Sequence, residues 1–500
     1  MQHRKPSVVA ALAGVLALAG CTPGPTYKQP AAVVPPAFKE QPPADFKEAQ
    51  GWKLAQPNDG QLKGKWWEIY NDPDLNALEE QVAIDNQNVL QAEAQYREAV
   101  AAVKIVRSGL YPSVSSAPSI TESRTGASTG AAGGMRSSFS LPISASWEPD
   151  LWGNIRRGVT AAAAQAQASA ADLENARLLY QSELAQDYFA LHGLDGDIDL
   201  LTRTVKSYSE YLDLTHNRFA GGIASDLDVA QAEAQLYAAQ TQLVDFGVTR
   251  AQLEHAIAVL AGKPPAAVTV AARILTATPP PVPIALPSML LERRPDIAAN
   301  ERLAAAANEQ IGIADAAFFP ALTLAATAGF EASRITTWLS WPSRFFSVGP
   351  TLAETIFDAG RRRAQVTQNL AAYDAAVAAY RQTVLTALQQ VEDSLSTLRV
   401  LAEESVVADE SVKSARRALD VSTAQYKAGT TAYLTVLTAQ GTALAAERTQ
   451  IDLMTRRLEA SVQLVVNLGG GWDTSQLPTK QDVVKTASPP QPPVLPAKTQ

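Results

Sequence analysis

Histidine, cysteine and clustered carboxylates are the side chains best able to do chemistry, and in this chain they are sparse or scattered. The four histidines (His3, His192, His216, His255) include no two at metal-ligand spacing, and Cys21 is the only cysteine. That count excludes a disulfide framework. No Ser/His/Asp, Cys/His or phosphate-loop constellation occurs, so the sequence offers no catalytic and no metal-binding residue and is not read as an enzyme. The paired carboxylates Glu79-Glu80 and Glu403-Glu404 lie on helical stretches and read as solvated faces. Asp226 and Asp228 have a clearer positional logic, because they follow the Gly221-Gly222 turn and Ser225 at the head of a helix. Ser225 and Asp228 stand at capping-box spacing, and acids at a helix start suit the helix dipole. Repeated around an assembly axis, the same carboxylates would instead form rings whose field resists anions and attracts cations. Both readings stand on the residues alone.

The element that would carry this turn is long. Arg361 to Ala428 contains neither Gly nor Pro, so nothing in it must break a helix. At 1.5 Å per residue it predicts a rod about 100 Å long. Val366, Leu370, Tyr373, Val377, Tyr380 and Val384 alternate at four and three; Leu388 follows at four, and Val391, Leu395 and Leu398 resume the pattern. This is a heptad seam with one stutter, which relaxes supercoiling.

The rest of the chain repeats one plan. A helix is predicted from about Asp74 to Ser108, then hairpin strands in which Phe139, Leu141, Ile143, Ala145 and Trp147 alternate with small polar residues. A long helical region follows Gly153, with a kink or loosened turn expected at Gly193 and Gly196, and a further helix runs to about Leu260. After the Pro-rich stretch from Thr278 to Pro287, a helix (Asp296 to Ala317), two alternating strands, the rod and a last helix (about Ala432 to Leu468) repeat the order. Gly153 and Gly360, Gly222 and Gly429, Leu227 and Leu434, and Gly262 and Gly469 all differ by 207, whereas Pro112 and Pro320 differ by 208. Such register indicates an internal duplication.

At the N-terminus His3, Arg4 and Lys5 precede an apolar run from Val8 to Ala19 that is too short to span a bilayer comfortably. Leu18-Ala19-Gly20-Cys21 resembles a lipoprotein signal box, which predicts cleavage before Cys21 and acylation of its thiol. A plain secretory signal with a bystander cysteine is the alternative. Thr22 stands where an Asp would favour inner-membrane retention, so outer-membrane delivery is expected. The net charge of −8 argues against a nucleic-acid partner.

The strands pose the decisive question. A soluble half-buried sheet gives the same alternation, but about ten residues per strand with serines on one face also fit a transmembrane wall with a wet lumen. Four strands do not close a barrel, and an open sheet in lipid leaves edge amides unpaired. Strands embedded in a membrane would therefore require the chain to oligomerise. A lipid-anchored periplasmic coiled-coil scaffold is the rival in which the sheet is soluble.

Several segments carry a family resemblance. Cys21-Thr22-Pro23-Gly24-Pro25-Thr26-Tyr27, Trp66-Trp67 with Asp72-Pro73-Asp74-Leu75, and above all Leu286 to Ile297 with its Arg293-Arg294-Pro295-Asp296 core are similar to the outer membrane efflux (TolC-like) family, in its NodT-type lipoprotein branch. The turns Arg218-Phe219-Ala220-Gly221-Gly222 and Gln425-Tyr426-Lys427-Ala428-Gly429 resemble the family's tip motifs. The resemblance implies a mainly α fold with β: long coiled-coil hairpins plus a four-stranded contribution to a trimeric transmembrane barrel, with an internal two-fold repeat. It also implies a homotrimer working with a periplasmic adaptor (membrane fusion) protein and an RND-type inner-membrane pump, and no cofactor beyond the lipid on Cys21. A duct for protein secretion is the rival within this architecture, and the cargo is not legible.

The chain then divides into a signal peptide (1–20), a lipidated extended strap (21–65), a first repeat (66–270), a Pro-rich linker (271–290), a second repeat (291–470) and a disordered Pro-rich tail (471–500). By the resemblance, Arg218, Gly222, Ser225, Gln425 and Gly429 are adaptor-docking candidates, and Asp226, Asp228 and Leu434 are gate or constriction candidates. Some members carry an Asp where this chain has Thr438, so a second acidic ring is not carried over.

Overall fold

A computed structural model describes residues 23–40, 52–54, 64–124, 135–275, 279–280, 282–284 and 289–485. Cys21 and its signal box lie outside the described residues. The elements are β1 (Trp52–Leu54), α1 (Pro73–Asp85), α2 (Gln87–Ser108), β2 (Ser113–Ser116), β3 (Ser119–Arg124), β4 (Met135–Trp147), α3 (Asn154–Ala220), α4 (Asp226–Leu260), β5 (Val282–Ile284), α5 (Pro295–Ala316), β6 (Ala321–Ala332), β7 (Arg344–Ala353), α6 (Arg361–Lys427), α7 (Tyr433–Asn467) and α8 (Lys480–Lys485). A single helical turn, Leu290–Arg293, precedes α5.

The duplication holds to the residue in its long parts. Helices α3 and α6 each have 67 residues, α4 and α7 each have 35, and all their ends correspond at the offset of 207. At 1.5 Å per residue the longer pair are rods of about 100 Å. In α6 the seam is buried at Tyr380, Val384, Val391, Leu395 and Leu398 but uncovered earlier, where Leu370 is 46% exposed. The largest core cluster joins both repeats, bringing Trp66, Leu75, Tyr188, Phe189, Ile257, Tyr380 and Val462 together.

Four expectations are corrected. The helix expected from Asp74 to Ser108 is two helices broken at Asn86, whose ψ of 122° leaves the helical region and whose side chain caps Asn88 N and Val89 N at 2.9 and 3.2 Å. No break occurs at Gly193 and Gly196, and α3 runs through both. Gly193 instead permits a close approach: a Cβ there would lie 2.1 Å from Thr455 Oγ1 of α7. Glu79 is not on a solvated face; it is fully buried, and neither carboxylate oxygen has a hydrogen-bond partner among the described residues. The tail is ordered as far as Lys485, since Val483 fills an apolar pocket against Val100, Val103 and Val159, and Gln167 Nε2 donates to Pro478 O at 2.8 Å.

Residues 23–40 form neither helix nor strand. Phe38 is buried in the main core, and the amides of Lys39 and Glu40 donate to the Glu392 carboxylate at 2.7 and 2.8 Å. Part of the expected linker is β5, which pairs in parallel with β1.

The sheet is antiparallel and four strands wide, because β2 and β3 lie end to end along β4, interrupted at Pro118, which lacks the ladder donor. The order continues β4, β6, β7, and the outer edges have no partner strand among the described residues. Register places Phe139, Leu141, Ile143, Ala145 and Trp147 beside Ala332, Phe330, Ala328, Ala326 and Leu324, so one face is apolar along this central pair, and Ser116, Glu122 and Arg344 bring polar groups to it on the flanking strands. On the other face Ser144 pairs with Thr327 and Thr327 with Ser347. Trp147 and Trp152 mark the rim where the helices begin, and Trp338 and Trp341 mark the distal rim.

Candidate functional site

The two interhelical turns lie together at the end of the rods farthest from the sheet. Each is closed in the same way: Gly222 N and Ile223 N donate to Phe219 O and Arg218 O, and Gly429 N and Thr430 N donate to Tyr426 O and Gln425 O. These paired bonds satisfy helix-terminal carbonyls and need one residue in the left-handed region. Gly222 and Gly429 supply it, with φ of 72° and 78°. Around Gly222 there is open space, and a Cβ on Gly429 would meet only Arg218 Nη2 at 3.9 Å. Conformation, not crowding, is what requires glycine there.

Beyond the turns the two repeats differ. The 207 offset pairs Ser225 with Ala432, Asp226 with Tyr433, and Phe219 with Tyr426. The first turn has a complete capping box: Ser225 Oγ accepts from Asp228 N at 3.2 Å, and the Asp228 carboxylate accepts from Ser225 N and Oγ at 2.9 Å each. Asp228 is thereby committed to the cap. Asp226 is exposed, with no hydrogen-bond partner among the described residues, and Leu434 is 57% exposed.

The second turn has no side-chain cap and is aromatic. Tyr426 and Tyr433 are buried with ring centres 5.6 Å apart, packed with Ala232 and Val436. Burial first, then the neighbouring Tyr426, Tyr208, Tyr211 and Asp228, pushes the Tyr433 phenol up to about 12. Tyr211 Oη and Thr423 Oγ1 lie 2.6 Å apart across the two long helices.

Arg218 joins the turns. Its Nη1 donates to Tyr426 O at 2.9 Å, and its guanidinium stands 4.6 Å over the Tyr426 ring. Of the docking candidates, Gly222, Ser225, Gln425 and Gly429 are exposed at this end, and Arg218 is half-buried between the turns. The sequence reading missed Tyr433 and the aromatic cluster. The signal available was the concentration of Tyr208, Tyr211, Tyr426 and Tyr433 near the two glycine turns.

Elsewhere, the charged motifs form clamps. Tyr188 Oη donates to Asp72 at 3.0 Å, and Arg273 pairs with the same carboxylate. Burial pushes Asp72 up, but Arg273 and Tyr188 more than offset it and hold the carboxyl below its usual range. Arg294, from the Arg293-Arg294-Pro295-Asp296 run, grips Asp296 at 3.0 and 2.7 Å, Gln390 at 2.8 Å and Asn467 O at 3.1 Å. Among the described residues no group of three or more His, Cys, Asp or Glu is placed to hold a metal, and no helix is long and apolar enough to cross a membrane.

The family described as Outer membrane efflux protein matches residues 78–263 and 286–470, one span for each repeat. The chain is 31% identical over 484 residues to the Outer membrane protein OprJ of Pseudomonas aeruginosa, covering 94% of this chain and 97% of that one. It is 31% identical over 420 residues to the Pyoverdine export outer membrane protein OpmQ of the same species, covering 82% and 88%. Among solved structures, the outer-membrane channel OprN superposes with a TM-score of 0.82 at 31% identity, covering 90% of this chain and all of that one. The open state of the Neisseria gonorrhoeae MtrE outer membrane channel superposes at 0.77 and 25% identity, covering 90% and 98%.

Proposed function

The chain belongs to the outer membrane efflux protein family, and from that premise we propose that it is the outer-membrane exit duct of a tripartite efflux system in a Gram-negative bacterium. Substrate passes through it without chemistry, delivered by an inner-membrane pump of RND type through a periplasmic adaptor. The observation that carries this reading is the sheet. Its four strands leave both edges unpaired and expose one apolar face, with Phe346, Val348 and Leu352 at 82, 76 and 68%. Water is a poor solvent for that face, and lipid is a poor solvent for those edges. Both demands are met if copies of the chain join edge to edge, and a trimer of four strands each closes a barrel well within the size range of membrane barrels, which starts at about eight strands. The Ser/Thr face then lines the lumen.

Helices α3, α4, α6 and α7 of the same copies continue the wall as a tube. The tip is its gate. Arg218 holds the two turns of one protomer together, so widening the end requires that bond to break or the turns to move as one. Asp226 supplies a ring of carboxylates, Leu434 an apolar ring, and the exposed turns at Gly222, Ser225, Gln425 and Gly429 the adaptor's docking surface. Acylation of Cys21 tethers the strap to the inner leaflet of the outer membrane.

Particle imaging of the detergent-purified protein, with its mass and heat-modifiable migration, tests the reading. A threefold tube with a helical section of about 100 Å is expected. A soluble monomer would refute it.

A further inference from the structure

Two recesses adjoin at the rim where the strands give way to helices. The first is an apolar groove of about 220 Å³ on the apolar face, running from Pro112 across Trp147 and Leu324 to Pro350. It crosses the protomer's own wall, so pairing of neighbours at the sheet edges does not fill it. The second begins one residue further on: a cavity of about 320 Å³ lined by Glu148, Trp152, Phe319, Leu322 and Glu354.

The cavity is acidic and aromatic. Trp152 and Phe319 stack at 4.7 Å, and Trp152 Nε1 is anchored on Pro320 O at 2.8 Å. Asp150, which also lines it, is used internally, accepting from Ile155 N and from Arg156 N at 3.1 and 2.8 Å. Glu148 and Glu354 are exposed, and neither has an ion-pair partner among the described residues. Arg156 stands beside this cavity, half exposed, with Nε and Nη2 on Asp150 and Nη1 without a partner among the described residues. Just past Glu354, Ile356 and Phe357 are 95 and 85% exposed, above every other large apolar side chain described.

We propose that this rim is a binding site for an amine-bearing zwitterionic phospholipid of the periplasmic leaflet. An acyl chain occupies the groove, the headgroup ammonium sits between Glu148, Glu354 and the aromatic wall, and the phosphate meets Arg156. Carboxylates and aromatic faces both favour a cation, whereas a purely anionic headgroup would meet Glu148 and Glu354 as like charges. Ile356 and Phe357 enter the acyl region beside it as interfacial anchors. The site rests on the membrane reading of the sheet given above.

The test uses the full-length protein extracted in mild detergent. Heat-modifiable migration is read first, and its absence would overturn the barrel and this site together. Phosphatidylethanolamine and phosphatidylglycerol retained by the particle are then measured by native mass spectrometry and compared with their ratio in the membrane. Enrichment of the ethanolamine lipid by about fivefold is expected for a paired, aromatic-lined ammonium. The Glu148→Gln/Glu354→Gln double variant should return the ratio to that of the membrane while leaving the barrel heat-modifiable. Parity in the unsubstituted protein, enrichment of the glycerol lipid, or an unchanged ratio in the double variant would overturn the site. Protection of a Glu354→Cys thiol from labelling that persists after delipidation would identify a neighbouring copy as the occupant and overturn it as well.

Discussion

Asn86 and Arg294 make the same bond in the two repeats: Asn86 Nδ2 donates to Leu260 O at 2.8 Å, and Arg294 Nη1 to Asn467 O at 3.1 Å. Leu260 and Asn467 are the last residues of α4 and α7, so each donor ties the start of its repeat to the end of its returning helix. The duplicated scaffold has kept the contact and changed its chemistry. Asn86→Ala removes a helix cap and leaves a buried carbonyl unmet, so a loss of about 1–2 kcal/mol is expected. Arg294→Met also strands Asp296 and Gln390 and should cost about 3 kcal/mol or more. Arg294→Lys should rescue little, because an ammonium cannot reproduce the forked contacts. Thermal unfolding followed by circular dichroism at the helical band ranks the three.

Glu79 gives a pH signature. Burial holds its carboxyl well above the usual carboxylate range, so the folded chain keeps a proton that the unfolded chain releases. Below the unfolded value the two states hold the proton equally. As pH rises from there toward the folded value, stability falls by on the order of 1 kcal/mol per pH unit. Glu79→Gln should abolish that slope, matching the wild type near pH 4 and exceeding it at pH 7. Equal melting temperatures at pH 7 would show that the carboxyl is solvated.

The long helices, the offset of 207 and the tip glycines were all legible because each is written locally, in periodicity or in a residue with special backbone freedom. What stayed hidden depends on partners distant in sequence. Asn86 breaks a pattern that reads as one helix because its amide also serves Leu260, 174 positions away. Val483 orders a Pro-rich tail through one pocket between α2 and α3. The Ser225–Asp228 cap was legible, being a spacing rule, but the burial of Tyr433 was not. Its repeat partner Asp226 is exposed, and Tyr433 is covered by Tyr426 and by Ala232 of the other repeat, so its burial depends on a neighbour about 200 positions away.

Asp226 and Asp228 should separate on substitution. Asp226→Asn removes an exposed charge outside the hydrogen-bond network, so cation selectivity in a planar bilayer should fall, with only the helix-dipole contribution, about 0.5 kcal/mol, lost from stability. Asp228→Ala dismantles the capping box and should cost about 1 kcal/mol. Ser225→Ala should match Asp228→Ala in stability and leave selectivity alone. If Asp228→Ala alone reduces selectivity, the roles of the two aspartates are reversed.

The glycine turns discriminate folding from docking. Gly222→Ala places a side chain in the left-handed region with no clash around it, at a cost of about 1 kcal/mol. If the turn is only a turn, export should fall no further than the cap-breaking Asp228→Ala lowers it. Loss of export with the duct still abundant and trimeric marks the surface itself as the docking site.

Arg218 is where tip mechanics can be tested most directly. Its guanidinium combines one hydrogen bond to Tyr426 O with a cation–π contact to the Tyr426 ring, so two variants divide the effect. Arg218→Lys keeps the charge and one donor but loses the planar fork. Tyr426→Phe keeps the ring and its carbonyl, losing only the phenol that approaches Thr215 Oγ1 at 3.5 Å. If Arg218 holds the turns together, bilayer conductance should rise clearly in Arg218→Ala, partly in Arg218→Lys and little in Tyr426→Phe. The melting temperature should move little in all three, because the turns are closed by their own backbone bonds. Unchanged conductance in Arg218→Ala would mean that the two turns are held by the Tyr426–Tyr433 cluster, and the next variant to measure would be Tyr433→Ala.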